Sequence, residues 1–506
     1  MWTARTTRAV DHPRSRGVYW RVSRPGGLGR FTMGQTLWLF AASAVLVVVE
    51  FTKGLAWAAA LAVPVACVAL AASIRDKHSM SWLDRRRESR MFKRARRRRN
   101  NLFRTGVLGV AAGSSGRCEL PGVLGRLRIS DHTDAWERPF TLIRHGDGRL
   151  TVPMALAPAG ESLTDREEIE RKVALWGELL KDLANETGIV AASVVVETSP
   201  DSGARLRREA GARRSPDAPD VASRIIDDVV ARAAGTGVQV RTWVTLTFDP
   251  ANMSSARVGR ERRAVQDIAT RLPGLTQNLT ESGDGAVHLL ERAELIRIVR
   301  EAFDPESGEV FERAADTGTP VDLDWSEAGP VSAEATWDSY RHDSGLSRVW
   351  VVSRPPQGVV QARVLRRVLE VSRDVEIKRV TVLYRPMDPA RAPEVVERDV
   401  DKADNRRRMA TRPTQRMHRE VAQAVKTAGE EAGGAAVVDF GIVITATVTG
   451  DGAVEQLEAA GAAVGSGAAG SHLLIRPAYG AQDSAFALGL PLGLMPDRQR
   501  LSGGGW

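Results

Sequence analysis

The sequence predicts an α+β protein that begins with a two-helix transmembrane hairpin and continues as a cytosolic α+β region of about two units. Two neighbouring uncharged, apolar runs lie near the N-terminus, and a strongly basic segment follows them. The rest of the chain alternates valine-rich strand patterns with amphipathic helix patterns. Together these observations place a membrane anchor first and a globular body after it.

The two apolar runs predict the transmembrane hairpin, over residues 31–75. The spans are expected at about 32–49 and 55–74, because a helix of about 20 apolar residues crosses a hydrocarbon core of about 30 Å. The short link between the runs makes the two helices antiparallel neighbours. A stripe of small residues at four-residue spacing predicts close helix packing in the second span; it consists of Ala58, Ala62 and Ala66.

The charges that flank the hairpin predict its orientation. Residues 1–30 form a basic tract with seven arginines, and residues 75–104 carry 13 lysines and arginines against three acids. The link carries only Glu50 and Lys53. Since positive flanks remain in the cytoplasm, we expect a multi-pass protein of the cytoplasmic membrane with both termini on the cytoplasmic side.

The basic juxtamembrane segment, residues 76–104, is predicted to bind lipid headgroups or a partner. Its cluster attracts anionic lipid at about 1 kcal/mol per basic residue. Docking to an acidic protein partner is the second interpretation. Sequence-specific nucleic-acid binding is not expected, because a basic run contains no base-reading chemistry. The predicted docking residues are Arg85, Arg86, Arg87, Arg90, Lys93, Arg94, Arg96, Arg97, Arg98 and Arg99.

The charge of the globular part differs from that of the whole chain. Residues 1–104 hold 21 lysines and arginines against 5 acids, a net charge of +16, whereas the remainder holds 50 against 57, a net charge of −7. A high pI is therefore no argument for a nucleic-acid-binding body. The two cysteines, Cys67 and Cys118, provide neither a disulfide framework nor a zinc site.

Composition divides the globular part into two predicted units. Residues 105–198 form an α+β unit with a β-hairpin around the Asp-Gly turn at Asp147. Residues 199–217 are rich in Arg, Ala, Gly, Ser and Pro and predict a linker or mobile loop. Residues 218–506 form the second α+β region. A division near residues 307–345 is the alternative.

No sequence motif predicts catalysis. The chain lacks the G-x-x-x-x-G-K-[ST] phosphate loop, which argues against ATP hydrolysis. The glycines at 465, 467 and 470 match G-x-G-x-x-G but follow a predicted helix, so we expect a flexible loop there. His342 and Asp343 are predicted to lie in a polar turn, and His132 in a solvated loop. We therefore predict no catalytic, cofactor-binding or metal-binding residues.

Several short motifs resemble known secretion proteins. The Ser23–Gly29 stretch that leads into the hairpin resembles the PrgI/VirB-type membrane subunits of type IV secretion. A set of stretches within residues 240–390 resembles a family of actinobacterial integral membrane proteins of type IV secretion and conjugation-like gene clusters. These are Thr247-Phe248-Asp249-Pro250, Leu272-Pro273-Gly274-Leu275, Ala302-Phe303-Asp304-Pro305, Trp325-Ser326-Glu327-Ala328-Gly329-Pro330, the Trp337 to Gly345 stretch and Val382-Leu383-Tyr384-Arg385-Pro386. Residues 485–493 are similar to the close of the N-terminal domain of CagE/TrbE-type ATPases.

The resemblance implies an arrangement rather than a reaction. It implies a membrane hairpin fused to the non-catalytic half of a secretion ATPase, without the motor half. A separate motor ATPase of the CagE/TrbE/TraC kind is the expected partner, together with anionic lipid and further copies of the chain or other membrane subunits. The alternatives are an EccE-like subunit of type VII secretion and a membrane-tethered enzyme with a pocket around His342 and Asp343, or near His132.

Overall fold

The computed structural model of the protein describes most of the chain from residue 33 onwards. The described residues are 33–73, 82–106, 109, 118–158, 165–201, 203–215, 217–233, 237–253, 259–283, 285–354, 364–372, 374–410 and 412–496. The basic tract predicted over residues 1–30 lies outside them, as do residues 74–81 between the hairpin and the basic segment and the last ten residues.

The described residues form fifteen α-helices and thirteen strands. The helices are α1 (Met33–Lys53), α2 (Leu55–Ser73), α3 (Trp82–Arg97), α4 (Arg166–Asn185), α5 (Ala204–Ala212), α6 (Asp220–Ala233), α7 (Pro250–Met253), α8 (Arg260–Gly283), α9 (Arg292–Phe303), α10 (Ser307–Thr317), α11 (Arg366–Leu369), α12 (Ala392–Met409), α13 (Gln415–Ala432), α14 (Ala453–Gly470) and α15 (Gln482–Leu488). The strands are β1 (Leu102–Arg104), β2 (Arg128–Thr133), β3 (Pro139–Arg144), β4 (Leu150–Pro158), β5 (Ile189–Pro200), β6 (Val238–Phe248), β7 (Gly285–Leu289), β8 (Ser332–Ala335), β9 (Tyr340–His342), β10 (Gly345–Arg354), β11 (Ile377–Pro386), β12 (Val438–Thr449) and β13 (Leu474–Pro477).

All thirteen strands belong to one sheet, and every pairing in it is antiparallel. The order along the sheet is β1-β8-β9-β10-β12-β11-β5-β6-β4-β3-β2, while β7 pairs with β4 and β13 pairs with β10. Helices on both faces complete the globular body. This arrangement confirms the predicted α+β class.

The strand order contains an internal repeat. From β2 to β7 the spatial order is β5-β6-β4-β3-β2, and β7 adds to β4 beyond the end of β3. From β8 to β13 the order is β11-β12-β10-β9-β8, and β13 adds to β10 beyond the end of β9. We call residues 128–303 the first repeat and residues 332–488 the second repeat. Each repeat ends in a helix, α9 in the first and α15 in the second.

The two repeats join through their outermost strands, β5 and β11. These strands pair antiparallel, with Glu197 opposite Arg379 and Val194 opposite Val382. Two copies of one topology that meet through an antiparallel pair of equivalent strands are related by an approximate twofold axis between those strands. The sheet therefore runs without interruption from one repeat into the other.

Each face of the sheet has its own core. On one face, the buried side chains of Val244 and Ile444 pack beneath α4 and α8 in the first repeat and beneath α11 and α14 in the second. On the other face, Trp243 and Val443 pack against α9, α15 and the chain that follows α15. Because neighbouring strand residues point to opposite faces, these consecutive apolar residues serve both cores.

The chain after α15 crosses the sheet and is deeply buried. We call residues 482–496 the C-terminal segment. The carbonyl oxygen of Gly489 accepts a hydrogen bond of 3.0 Å from the hydroxyl of Thr381 on β11, and that of Gly493 accepts one of 3.4 Å from Thr247 on β6. The segment thus begins in the second repeat and ends over the first.

Helices α1 and α2 are separated by a single residue, Gly54, and pack against each other. Shielded positions follow one face of each helix, Thr36, Leu39, Ala42, Leu46 and Val49 in α1 and Ala58, Ala62, Val65 and Ala69 in α2. Among the described helices only α1 is long and apolar enough to cross a membrane, over Thr36–Lys53; the apolar length of α2 is Leu55–Ala71. The structure therefore shows two packed apolar helices, and the predicted pair of membrane spans is still a prediction.

Several predicted boundaries differ from the structure. The linker predicted at residues 199–217 includes α5 and joins β5 to β6, which pair side by side within the first repeat. The repeats instead separate between residues 304 and 331. Residues 102–104, predicted as part of the basic segment, form β1 on the edge of the sheet, where main-chain hydrogen bonds to β8 hold them.

The flexible loop predicted at residues 465–470 is wrong, because these residues are the last turns of α14. Their small side chains serve packing. A Cβ atom on Gly467 would lie 3.0 Å from the carbonyl oxygen of Arg367 in α11, so glycine lets α14 and α11 approach closely. Tertiary packing thus overrides the low helix propensity of the glycines.

Candidate membrane-docking site

The predicted basic segment contains helix α3, and all ten of its predicted docking residues are exposed to solvent. They are Arg85, Arg86, Arg87, Arg90, Lys93, Arg94, Arg96, Arg97, Arg98 and Arg99. The guanidinium of Arg86 lies over the ring of Trp82, 4.9 Å from its centroid, which holds an indole within the basic surface. The helix therefore offers a strongly basic surface close to the apolar hairpin.

The inner face of α3 is fixed to the second repeat by groups that we had not predicted. The buried carboxylate of Glu88 forms an ion pair with Arg476 on β13. One turn later, the ring of Phe92 meets Trp337 edge to face, with ring centroids 5.5 Å apart. Trp337 in turn stacks on Tyr479 at 5.4 Å, and Arg476 lies 5.6 Å from the centre of the Tyr479 ring. These contacts hold the basic helix in a defined orientation on the body.

A glycine makes this close contact possible. Gly480 has φ +69°, and a Cβ atom there would lie 2.9 Å from the ring of Trp337 and 3.2 Å from Phe92. Any side chain at this position would push α3 away from the sheet and strain the backbone. The sequence signal for the contact between α3 and the second repeat was weak. Glu88 is one of only three acids in residues 75–104, and an acid surrounded by arginines suggests a buried partner elsewhere.

The predicted stripe of small residues on α2 is only partly shielded. Ala58 is buried and Ala62 is half-buried, whereas Ala66 is exposed. A strict four-residue spacing drifts around a helix of 3.6 residues per turn, so Val65 and Ala69 continue the shielded face instead. The residues of α2 that face α1 therefore differ from the predicted stripe after Ala62.

His342 lies inside the body and not in an open turn. Its side chain is 0% exposed, its Nδ1 lies 2.6 Å from the carbonyl oxygen of Phe303, and its Nε2 lies 2.7 Å from the hydroxyl of Ser347. A carbonyl can only accept, so Nδ1 carries the proton and the Ser347 hydroxyl donates to Nε2. The Ser347 oxygen then accepts from the hydroxyl of Thr447, 2.7 Å away.

The first repeat contains the same constellation. His145 follows β3 as His342 ends β9, and its Nε2 lies 2.8 Å from the hydroxyl of Thr151, which lies 2.8 Å from that of Thr247. Burial lowers the pKa of both histidines to about 4. The two histidines are therefore neutral near pH 7. Their matching places in the two repeats indicate a structural role in joining β3 to β6 and β9 to β12.

Acid is expected to destabilise the body because of these two histidines. In the unfolded chain they take up protons below a pKa of about 6.5, whereas in the fold they stay neutral down to about 4. The contribution of each neutral histidine to the free energy of unfolding is therefore fully present above pH 6.5. It is lost as the pH drops from 6.5 to 4, by up to about 3 kcal/mol per histidine. Thermal unfolding at a series of pH values in detergent measures this loss.

Glutamine variants provide the control for the acid effect. His145→Gln with His342→Gln should flatten the pH dependence between 6.5 and 4, although the protein starts from a lower melting temperature. His418→Gln, which replaces an exposed histidine on α13, is the matched control. An unaltered slope in the double variant would show that other groups cause the acid sensitivity.

His342 is buried, and its neighbour Asp343 is already engaged by other parts of the fold. Asp343 accepts hydrogen bonds from the backbone N–H groups of Val331 and Ser332, at 2.9 and 3.1 Å, and lies 3.2 Å from the Arg300 guanidinium. Its pKa is raised, chiefly by burial. Both polar groups that would serve a tethered enzyme are thus already used to hold the turn between β9 and β10.

His132 lines an open cleft of about 1030 Å³ between β2, β3 and the start of α8. Its Nε2 lies 2.9 Å from the hydroxyl of Ser130 on the same strand. Arg144 and Glu261, which also line the cleft, pair with each other at 3.1 Å. The described residues place no carboxylate on the other ring nitrogen of His132, so this pair lacks the group that orients a catalytic histidine.

Within the described residues, no group of three or more His, Cys, Asp or Glu side chains is arranged to hold a metal ion. Comparison with known protein families found no family model that matches the chain, and comparison with curated proteins found no match.

Proposed function

We propose that this chain is a membrane-anchored, non-catalytic structural component of a type IV secretion or conjugation-like apparatus, which docks a separate motor ATPase at the membrane. The position of α3 is the observation that best supports membrane anchoring. It presents eight exposed basic residues on one side, with Arg98 and Arg99 directly after its end. On the other side it is fixed to the sheet by Glu88 and Phe92, and it follows the two apolar helices in the chain.

The outer surface of α1 and α2 supports insertion into a bilayer. Phe40, Val48, Leu55 and Val63 are each more than half exposed, and Phe51 is 86% exposed. A water-soluble protein rarely presents so large a contiguous apolar surface. In lipid the same side chains face hydrocarbon, and the backbone groups are satisfied within each helix. The apolar length of α2 lies at the short end of the range for a span.

The basic helix supports an orientation with the body in the cytoplasm. Positive residues that flank a span stay on the cytoplasmic side, where anionic headgroups attract them. Because α3 is held on the second repeat, lipid binding by α3 would set the edge of the sheet that carries β1 and β8 closest to the membrane. The first repeat then extends away from the bilayer.

Anionic lipid is expected to protect α3 from trypsin. In nanodiscs that contain anionic lipid, the cluster Arg96–Arg99 should be cleaved several-fold more slowly than in zwitterionic nanodiscs, because headgroup contacts shield it. High salt should abolish the difference. Cleavage after Arg406 and Arg408, which are exposed on α12, serves as the internal control. Equal cleavage of α3 in both lipids would contradict the lipid contact.

Two of the stretches that resemble secretion proteins contain residues at which the two repeats meet. Phe303, at the end of α9, accepts the hydrogen bond from His342 of the second repeat. Gly493, near the end of the chain, accepts the hydrogen bond from Thr247 of the first repeat. These stretches therefore maintain the fold, which supports a shared architecture with the non-catalytic half of a secretion ATPase. The absence of a phosphate loop from the sequence leaves docking as the role of that architecture.

Affinity capture tests the docking role. The full chain is isolated from membranes of its native cells after brief cross-linking, and the captured proteins are identified by mass spectrometry. The proposal expects a nucleotide-binding motor ATPase among the major partners. Isolation of a monomer that captures no such ATPase would contradict it. An FtsK-like motor in place of a TraC-like one would instead favour the type VII alternative.

A further inference from the structure

Helix α3 contains a single side-chain hydroxyl group, which belongs to Ser89 and lies in the middle of its basic sequence. Ser89 follows Glu88 by one residue and precedes Phe92 by three, and these two residues contact the second repeat. The side chain of Ser89 is only partly exposed, whereas its neighbour Arg90 is exposed. The hydroxyl therefore lies beside the contact with the body and next to the surface that is proposed to bind lipid.

Two arginines precede Ser89 at a spacing that basic-directed serine kinases recognise. The sequence Arg86-Arg87-Glu88-Ser89 places them three and two residues before the hydroxyl. Kinases select substrates through such charge patterns, because a guanidinium pairs well with the carboxylates of a kinase that prefers basic substrates. Arg86 and Arg87 are both exposed on α3, so the recognition element is on the surface.

Repulsion along the outer face favours local opening of α3 around Ser89. Arg86, Arg90 and Arg94 recur at four-residue spacing, and like charges at this spacing destabilise a helix. A helix of 16 residues is marginal in water without packing, and the buried or partly buried contacts of α3 are confined to its inner face. Anionic headgroups neutralise the repulsion, so a kinase reaches Ser89 mainly when α3 is not bound to lipid.

We propose that Ser89 is a phosphorylation site whose modification releases α3 from anionic lipid. This inference rests on the lipid contact of the proposed function and adds its regulation. The oxygen of the Ser89 hydroxyl attacks the γ-phosphorus of a nucleoside triphosphate bound by a serine kinase. The new O–P bond forms as the bond from that phosphorus to the β–γ bridging oxygen breaks. Nucleoside diphosphate leaves, and the hydroxyl proton passes to a base of the kinase.

The phosphate weakens the lipid contact in two ways. It carries a charge of about −1.5 to −2 at pH 7, and anionic headgroups repel this charge. Arg86 and Lys93 lie three residues before and four residues after Ser89, within reach of the phosphate oxygens, so the phosphate attracts cations that otherwise face lipid. Because each basic residue contributes about 1 kcal/mol to lipid attraction, offsetting two of them weakens the contact about 30-fold.

Charge variants of the full chain in nanodiscs test the effect on lipid binding. Ser89→Asp adds one negative charge, so trypsin should cleave Arg96–Arg99 in anionic nanodiscs about five-fold faster than in the unaltered chain. Ser89→Asn has nearly the same shape without the charge and is the matched control, which should be cleaved at the original rate. Equal cleavage of the Asp and Asn variants would overturn the proposal.

Mass spectrometry of the chain from its native membranes tests the modification itself. Chymotrypsin, which cuts after Trp82 and Phe92, leaves Ser89 in a peptide with its flanking arginines. We expect phosphate on Ser89 in cells opened with phosphatase inhibitors, and none after phosphatase treatment. If Ser89 carries no phosphate in any growth phase while anionic lipid still protects α3 from trypsin, the phosphorylation is wrong and the lipid contact stands. If anionic lipid gives the unaltered, phosphatase-treated chain no protection, the lipid contact of the proposed function is wrong, and the switch that depends on it fails as well.

Discussion

Replacing Glu197 by glutamine is expected to destabilise the body by about 3–5 kcal/mol, because it leaves buried positive charge without its counter-charge. Glu197 is 3% exposed, and its carboxylate contacts Arg379 on β11 and Arg241 on β6, the latter at 2.8 Å. Burial alone would raise the pKa of Glu197, but these two guanidinium groups outweigh it and lower the pKa. Chemical denaturation of the detergent-solubilised protein, followed by tryptophan fluorescence, measures the loss.

A double variant separates lost charge balance from lost packing. Arg379 has its charged partner in Glu197, and its guanidinium carbon lies 5.9 Å from the centre of the Phe486 ring. Arg379→Met keeps a long side chain and removes the charge, while Arg241 keeps its ion pair with Glu301 at 2.6 Å. Glu197→Gln with Arg379→Met should therefore be more stable than Glu197→Gln alone. A double variant destabilised by the sum of the two single effects would contradict a buried ion pair at the junction of the repeats.

Replacing Phe486 by alanine is expected to cost about 3–5 kcal/mol, the usual cost of emptying a buried aromatic site. The ring is fully buried and packs against Phe303, Tyr340 and His342, with ring centroids 4.7–5.4 Å away. Phe303 ends the first repeat, and the other two belong to the second. The cavity would therefore loosen the contact between the repeats as well as the C-terminal segment.

Thermal unfolding with an exposed control measures this effect. Met409→Ala also shortens a large apolar side chain, but Met409 is 89% exposed at the end of α12, so its melting temperature should stay within about a degree of the original. Phe486→Ala should melt at a clearly lower temperature. Similar melting of both variants would mean that the C-terminal segment contributes little to the body.

Local patterns in the sequence predicted local structure. Alternating residues around the Asp-Gly turn at Asp147 predicted the β3–β4 hairpin, and Gly148 has the positive φ of +88° that such a turn requires. Pro413 lies between α12 and α13, where a proline interrupts a helix. The arginines of α3 are exposed, as expected for a dense run of like charge, while their predicted docking role stays a prediction.

Contacts between distant residues could not be predicted from one sequence. The partners of Glu88 and Phe92 lie almost 400 and about 245 residues further along the chain. The internal repeat is visible in strand order and in the paired histidine constellations, but the two repeats share little sequence pattern beyond such positions as Thr247 and Thr447. The histidine at 342 was misread as part of a polar turn, because its polar neighbours hide a position that packing buries completely.

The most direct test of the proposed membrane anchoring uses the two native cysteines. Water-soluble maleimide is applied to membranes from cells that make either the Cys67→Ser or the Cys118→Ser protein. Cys67 lies within α2 and is exposed on its outer surface, so it should label only after the bilayer is dissolved and the protein unfolded. Cys118 should label from the cytoplasmic side alone, after the cells are opened. Rapid labelling of Cys67 in intact membranes, or of Cys118 from outside the cell, would contradict the account.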